Sequence, residues 1–318
     1  MTGKSIAGDT TASPLRATLL GRGVLIGALL VMGASWGFTI PMTKIAVSEG
    51  YRHFGLIFWQ LMISVALLGA INLLRGKPLP MGARHMRLYL VVALLGTVLP
   101  NSASYQAAVY LPAGINAILM SLVPMFSFPV ALMMATDRFS WSRLAGLALG
   151  LLGVLLLVGP EASLPERWMV AVIPLALIAP AFYALEGNVV AKWGTGGLDP
   201  IQVLLGASVL GAVIALPLAV LSGHWIDPRP PYGAPDLALV VASMVHGLVY
   251  VAYVWMVGRA GAVFAAQVSY LVTGFGVVWA MILLGERYSG YAWAAMAVMF
   301  VALFLVQPRN SGPEAARK

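Results

Sequence analysis

Apolar residues run through this chain in ten long blocks, at about 23–47, 53–74, 88–109, 112–135, 143–159, 168–191, 199–222, 237–258, 262–284 and 290–307. A helix that crosses a bilayer needs roughly 20 mostly apolar residues. Each block comes near that length, the fifth and tenth only just. Short polar connections separate the blocks, and several carry turn formers, such as Gly76-Lys77-Pro78, Gly194-Thr195-Gly196-Gly197 and Asp227-Pro228-Arg229-Pro230-Pro231. The pattern predicts an all-α integral membrane protein with ten transmembrane helices.

The polar punctuation repeats. At an offset of 149 residues, Asp137-Arg138-Phe139-Ser140 falls on Glu286-Arg287-Tyr288-Ser289, in each case between two apolar runs. Across 113–159 and 262–308, 11 of 47 aligned positions are identical, which is modest for apolar helices, so the polar tetrapeptide carries the match. Five helices per unit is an odd number, so the second unit must enter the membrane upside down. The expected organisation is a tail at residues 1–22, a first five-helix repeat at 23–160, a second at 161–308 and a tail at 309–318. Inverted-topology repeats of this kind are how many carriers are built.

Composition supports the same class. The chain is 60% apolar and 9% charged over 318 residues, against about 45–50% and about 25% in soluble domains. The net charge of +8 comes from short clusters between the apolar blocks and forms no stripe for nucleic acid. If the N-terminus is cytoplasmic, the connections on that side hold 14 of the 19 basic residues, which by the positive-inside rule puts both termini in the cytoplasm. With no cysteine, disulfides, thiolate metal sites and cysteine nucleophiles are excluded. Residues 1–22 lack an apolar core followed by a small-residue cleavage site, so they read as a soluble tail.

These residues resemble the drug/metabolite transporter superfamily in its EamA-type ten-helix branch. Ala34-Ser35-Trp36-Gly37 is similar to the family's Trp-Gly in helix one. Gly285-Glu286-Arg287 matches its Gly-Glu-Arg, from which Thr136-Asp137-Arg138 departs. Val123-Pro124 is similar to its mid-helix proline in the fourth span, where the ninth has Val272-Thr273. The resemblance covers about 23–307. It implies an inner-membrane carrier, usually an exporter of amino acids, metabolites or drugs.

Polar groups inside a membrane are costly and mark sites or partners. His246, Tyr250 and Tyr253 share one face of the eighth helix, and the same offset lands on Thr97, Asn101 and Ser104 of the third. With Trp36, Gln267 and Tyr270, these are the candidate substrate-binding residues. Each has a plainer reading as packing or as a helix-to-helix hydrogen bond. Glu186, the one acid within a span, and His246, whose ring titrates near neutral pH, are the proton-coupling candidates. Glu186 has Phe182 and Tyr183 on its face, and it would otherwise snorkel to the interface. Lys44, Lys192, Gln60 and Asn116 are further polar positions, and Trp59, Trp255 and Trp279 further aromatic ones. No Walker-type phosphate loop, His-Glu-x-x-His or Gly-x-Ser-x-Gly occurs. The reading is therefore a secondary carrier, not an enzyme, without cofactor or metal, working by alternating access around a central cavity. Its partners would be a small-molecule substrate, protons and the bilayer, with no nucleic acid, and it would stand as a monomer or homodimer. A facilitative carrier remains the alternative, and a membrane-embedded enzyme is left with one histidine and one glutamate on separate helices.

Overall fold

The computed structural model describes residues 14–160, 164–260 and 267–306. Among them ten long helices form and no strand: α1 (Pro14–Ser48), α2 (His53–Leu74), α3 (Ala83–Tyr110), α4 (Ala113–Met133), α5 (Trp141–Val158), α6 (Arg167–Trp193), α7 (Pro200–Leu221), α8 (Ala234–Ala260), α9 (Val268–Leu284) and α10 (Gly290–Val306). Eight are long and apolar enough to cross a membrane by length and composition; α9 and α10 have 17 residues each, or about 25 Å, at the lower bound for a span. The first five residues of the expected ninth block, 262–266, lie outside the described residues. The chain is a ten-helix membrane protein built as two five-helix units.

The helix pairs obey the two-fold relation that the repeat requires. Helices α2 and α7, α4 and α9, and α5 and α10 pack against each other, and each of these pairs maps onto itself when the units are exchanged. Likewise α1 packs on α8 and α9, and its counterpart α6 packs on α3 and α4.

Helix boundaries depart from the apolar blocks where propensity or proline outweighs hydropathy. Helix α1 begins at Pro14, nine residues before its apolar block, because proline suits a first turn and Leu15, Arg16, Ala17 and Leu19 are good helix formers. Of the nine prolines within the expected spans, Pro112 caps α4 and Pro200 opens α7, Pro100, Pro124 and Pro174 sit in the first turn of a helical segment, and Pro41, Pro129, Pro180 and Pro217 lie inside helices. Pro124 has no N–H to offer the Met120 carbonyl. There α4 breaks into two segments, joined by tighter bonds from the Ser121 amide to Ile118 and from the Leu122 amide to Leu119. Similarly, Pro100 cannot bond the Gly96 carbonyl. Helix α3 widens into a π turn at Leu94–Val98, where the Leu99 amide reaches back five residues to Leu94.

Small residues let the helices approach, as van der Waals packing in lipid demands. On α5 an added methyl would lie 2.5 Å from Val306 Cγ2 at Gly146, 2.1 Å from Met125 Sδ at Gly150 and 2.7 Å from Met299 Cγ at Gly153. On α10 the structure buries Ala292, Ala295, Met299 and Ala302, spaced for one helical stripe, and exposes Ala294 and Ala297.

Both ends of the bundle are tied by polar contacts. At one end Asp199 caps α7, accepting from the amides of Ile201 at 3.0 Å and Gln202 at 3.1 Å, while Gln202 Oε1 accepts from the Asp199 amide. The same carboxylate receives Arg75 at 2.8 Å and Lys77 at 2.7 Å from the end of α2. Burial alone would raise the Asp199 carboxyl, but the hydrogen bonds from Arg75, Lys77 and the Gln202 backbone outweigh it and hold the group well below the usual carboxylate range. On acidification the unfolded chain therefore takes up its proton first. The contribution of Asp199 is complete above the ordinary carboxylate range and fades as pH falls through the lowered native value. Asp199→Ala is expected to cost about 1–2 kcal/mol at neutral pH. The difference in unfolding temperature from the unaltered protein should narrow at acid pH, checked by scanning fluorimetry across pH.

At the opposite end Glu286 caps α4. Its carboxylate accepts from the amides of Ala113 at 2.7 Å and Gly114 at 3.1 Å, and the Tyr288 hydroxyl donates to it as well. Burial and that bond push the Tyr288 hydroxyl upward. Beside it, Lys44 donates to the carbonyls of Ala108 at 2.7 Å and Val109 at 3.0 Å at the end of α3.

Candidate functional site

Four helices, α1, α3, α6 and α8, bring the interior polar groups together, with α2 contributing Gln60. On the α1–α8 contact the Trp36 indole N–H donates to His246 Nδ1 at 3.0 Å. The two rings meet edge-on at 5.4 Å, and Tyr253 approaches the other side of Trp36 at 6.1 Å. A bond into Nδ1 is open only to an imidazole whose Nδ1 carries no proton. On the α3–α6 contact the Tyr183 hydroxyl donates to Asn101 Oδ1 at 2.6 Å. Asn101 Nδ2 in turn donates to Gln60 Oε1 at 3.3 Å, which also accepts from the Tyr105 hydroxyl. The two contacts correspond helix for helix, though not residue for residue: in each, an aromatic residue of the first helix of one unit holds a polar residue of the third helix of the other.

Glu186 stands one turn from Tyr183 on α6 and lies against the π turn of α3. A methyl on Gly96 would come 3.3 Å from Glu186 Cγ and 3.4 Å from its Cδ, so this side chain packs closely over the glycine. Its carboxylate is close enough to act electrostatically on the hydroxyls of Tyr183 and Tyr250. It accepts no hydrogen bond among the described residues, and it keeps accessible surface although helices surround it. Thr97 belongs to the same π turn, and Ser104 and Tyr250 are half-buried.

Other expected residues go elsewhere. Tyr270 packs against the core shared by α4, α5 and α10, with its ring 6.1 Å from Phe300 and its hydroxyl buried without a hydrogen bond. Gln267 stands at the N-terminal boundary of α9. Trp59 donates to the Ile226 carbonyl at 3.0 Å, tying α2 to the α7–α8 connection, and Trp279 donates to that of Ala34 at 2.9 Å, tying α9 to α1. Lys192 donates to the Met134 carbonyl at 3.0 Å, joining the end of α6 to that of α4. Asn116 is buried near the start of α4. Tyr105 was missed by following the repeat offset to Ser104; its spacing of four from Asn101 was the available signal.

The chain belongs to the EamA-like transporter family, whose pattern matches twice, over residues 23–159 and 170–307. It is therefore similar to membrane transporters along nearly its whole length. Among the relatives, the uncharacterized inner membrane transporter YedA of Escherichia coli strain K12 is 25% identical over 291 residues, 89% of this chain and 90% of its own. A probable terminal-alkyne amino-acid exporter of Streptantibioticus cattleyicolor is 25% identical over 298 residues, 90% of this chain and 94% of its own. A probable amino-acid metabolite efflux pump of Salmonella typhimurium is 25% identical over 205 residues, 61% of this chain and 67% of its own. One solved crystal structure of a protein superposes with a TM-score of 0.60 at 16% identity, covering 89% of this chain and 94% of the other, and shares the fold.

Proposed function

We propose that this protein is a secondary carrier of the cell's inner membrane, with both termini cytoplasmic, that exports an amino acid or a small amino-acid metabolite. Its site is the polar centre of α1, α3, α6 and α8, and one five-helix unit rocks against the other to expose that centre to each side in turn. The observation that carries the reading is the pair of contacts between corresponding helices, Trp36–His246 and Tyr183–Asn101. Each joins one unit to the other at mid-membrane, where a carrier of inverted repeats places its substrate. The names of the exporter relatives supply the substrate class. Protons are the coupling ion, and Glu186 carries them: its carboxylate is unbonded among the described residues, whereas His246 Nδ1 is already engaged by Trp36. Tyr250, Tyr253, Thr97 and Ser104 line the site around these groups.

A thermal-shift screen of the purified protein against the amino acids and their N-acyl and alkynyl derivatives should yield a stabilising ligand, because a ligand that binds only the folded state raises its unfolding temperature. With that ligand labelled, counterflow into proteoliposomes is expected to fall at least tenfold in His246→Ala, and severalfold in Trp36→Phe, which keeps the ring but removes the donor. Unaltered counterflow in both variants would remove the α1–α8 contact from the site.

A further inference from the structure

A second cavity lies where α3 begins and α6 ends, at the end of the bundle that carries Asp199, and none of the interior polar groups reaches it. Its volume is about 440 Å³, and Arg84, His85, Arg87, Trp193, Thr195 and Gly196 line it. Neither arginine forms an ion pair among the described residues. The acid of the neighbouring turn, Asp199, is already held by Arg75 and Lys77. The floor of the cavity is a turn with positive φ at Gly194 (70°), Gly196 (65°) and Gly197 (86°). A methyl on Gly196 would stand 3.5 Å from His85 Nε2 and 3.8 Å from Arg84 Nε, so both side chains lean over this turn. The first turn of α3 has Gly82 as its cap, with no side chain accepting from its free amides, and this adds partial positive charge to the same spot. Uncompensated guanidinium groups around a hollow are built to take a phosphate, which offers them several acceptor oxygens at once.

The position in the bilayer narrows the source of that phosphate. The cavity sits at the ends of spanning helices, and Trp193, the last residue of α6, is 53% exposed at its rim. Tryptophan collects at the headgroup level, and basic pockets between helix ends at that level receive anionic headgroups. We propose that this cavity binds the phosphate of an anionic phospholipid, with Arg84 and Arg87 on its oxygens and the acyl chains running beside Trp193 along α6.

The test uses the full chain in an uncharged detergent, titrated with dihexanoyl phosphatidylglycerol and, in parallel, with dihexanoyl phosphatidylcholine and inorganic phosphate. Affinity for phosphatidylglycerol is expected to fall at least tenfold in Arg84→Gln/Arg87→Gln and to return to within threefold in Arg84→Lys/Arg87→Lys. Phosphatidylcholine should bind at least tenfold more weakly than phosphatidylglycerol, and inorganic phosphate at tenfold excess should not displace the lipid. Both arginines are exposed, so the unfolding temperature should hold; if the double variant is unfolded, the single variants are measured instead and each should lose at least threefold. Equal phosphatidylglycerol affinity in the glutamine variants, equal affinity for phosphatidylcholine, or full displacement by phosphate would each overturn the proposal, the last by making a soluble phosphate compound the occupant.

Discussion

Glu186→Gln is expected to abolish uptake driven by a proton gradient in proteoliposomes, lowering the initial rate at least tenfold, while exchange of labelled for unlabelled substrate at equal pH on both sides persists. The substitution keeps the shape of the side chain and its fit against Gly96 and removes only the ability to gain and lose a proton. A carboxylate inside a membrane is retained at high cost, and this one is not neutralised by any ion pair among the described residues. Tyr183 and Tyr250, whose hydroxyls lie within its electrostatic reach, sit on α6 and α8, so a proton arriving at Glu186 changes the field at hydroxyls on both helices. A proton gradient that drives Glu186→Gln as well as the unaltered protein would refute the coupling role. Loss of exchange together with driven uptake would instead place Glu186 on the substrate.

Gly37→Val is expected to be strongly destabilising, lowering stability by about 3 kcal/mol, the upper range for overpacking. Even an added methyl would lie 2.8 Å from the Gly276 amide nitrogen, 3.0 Å from the Val272 carbonyl oxygen and 3.0 Å from Phe275 Cβ. Two of these are main-chain atoms, which cannot yield by changing rotamer, so α1 and α9 would have to separate. The crossing has no slack on either side of that point. Gly33, one turn earlier, meets Leu271 in the same way, a methyl there falling 2.2 Å from its Cβ, and the Trp279 bond to the Ala34 carbonyl lies between the two glycines. Gly27→Ala on the same helix is the control: nothing lies within 4 Å of its added methyl, and helix propensity favours alanine by roughly 1 kcal/mol. Equal unfolding temperatures for Gly37→Val and Gly27→Ala would show that this crossing does not hold the units together.

Much of the architecture was legible because lipid imposes simple rules. Apolar runs of span length gave ten helices, and the matching tetrapeptides at Asp137 and Glu286 gave two units, since each depends on local sequence alone. The stripe of His246 and Tyr253, together with the Trp36-Gly37 motif, pointed to two surfaces that do meet on α1 and α8. Contacts that depend on how helices are placed were less accessible. Pro100 denies the Gly96 carbonyl a bond, yet local sequence does not say whether the helix there tightens, as it does before Pro124, or widens. The repeat offset led to Ser104 and past Tyr105, because the two units are not identical in their side chains. Alanine is too common on α10 for composition to reveal which stripe faces α5. Glu286 read as a marker of the repeat; its bond to the amides of Ala113 and Gly114 joins residues 172 and 173 positions apart, a distance over which no spacing rule operates.

That carboxylate also sets a condition on how the molecule can gape. At the head of α4 the Ala113 amide has Glu286 as its acceptor and the Gly114 amide has Glu286 and the Tyr288 hydroxyl, all on the α9–α10 connection, and hydrocarbon offers nothing to take their place. Any state in which α4 parts from the α9–α10 connection must bring solvent to those amides at the same moment, so hydration and parting at that mouth are a single event.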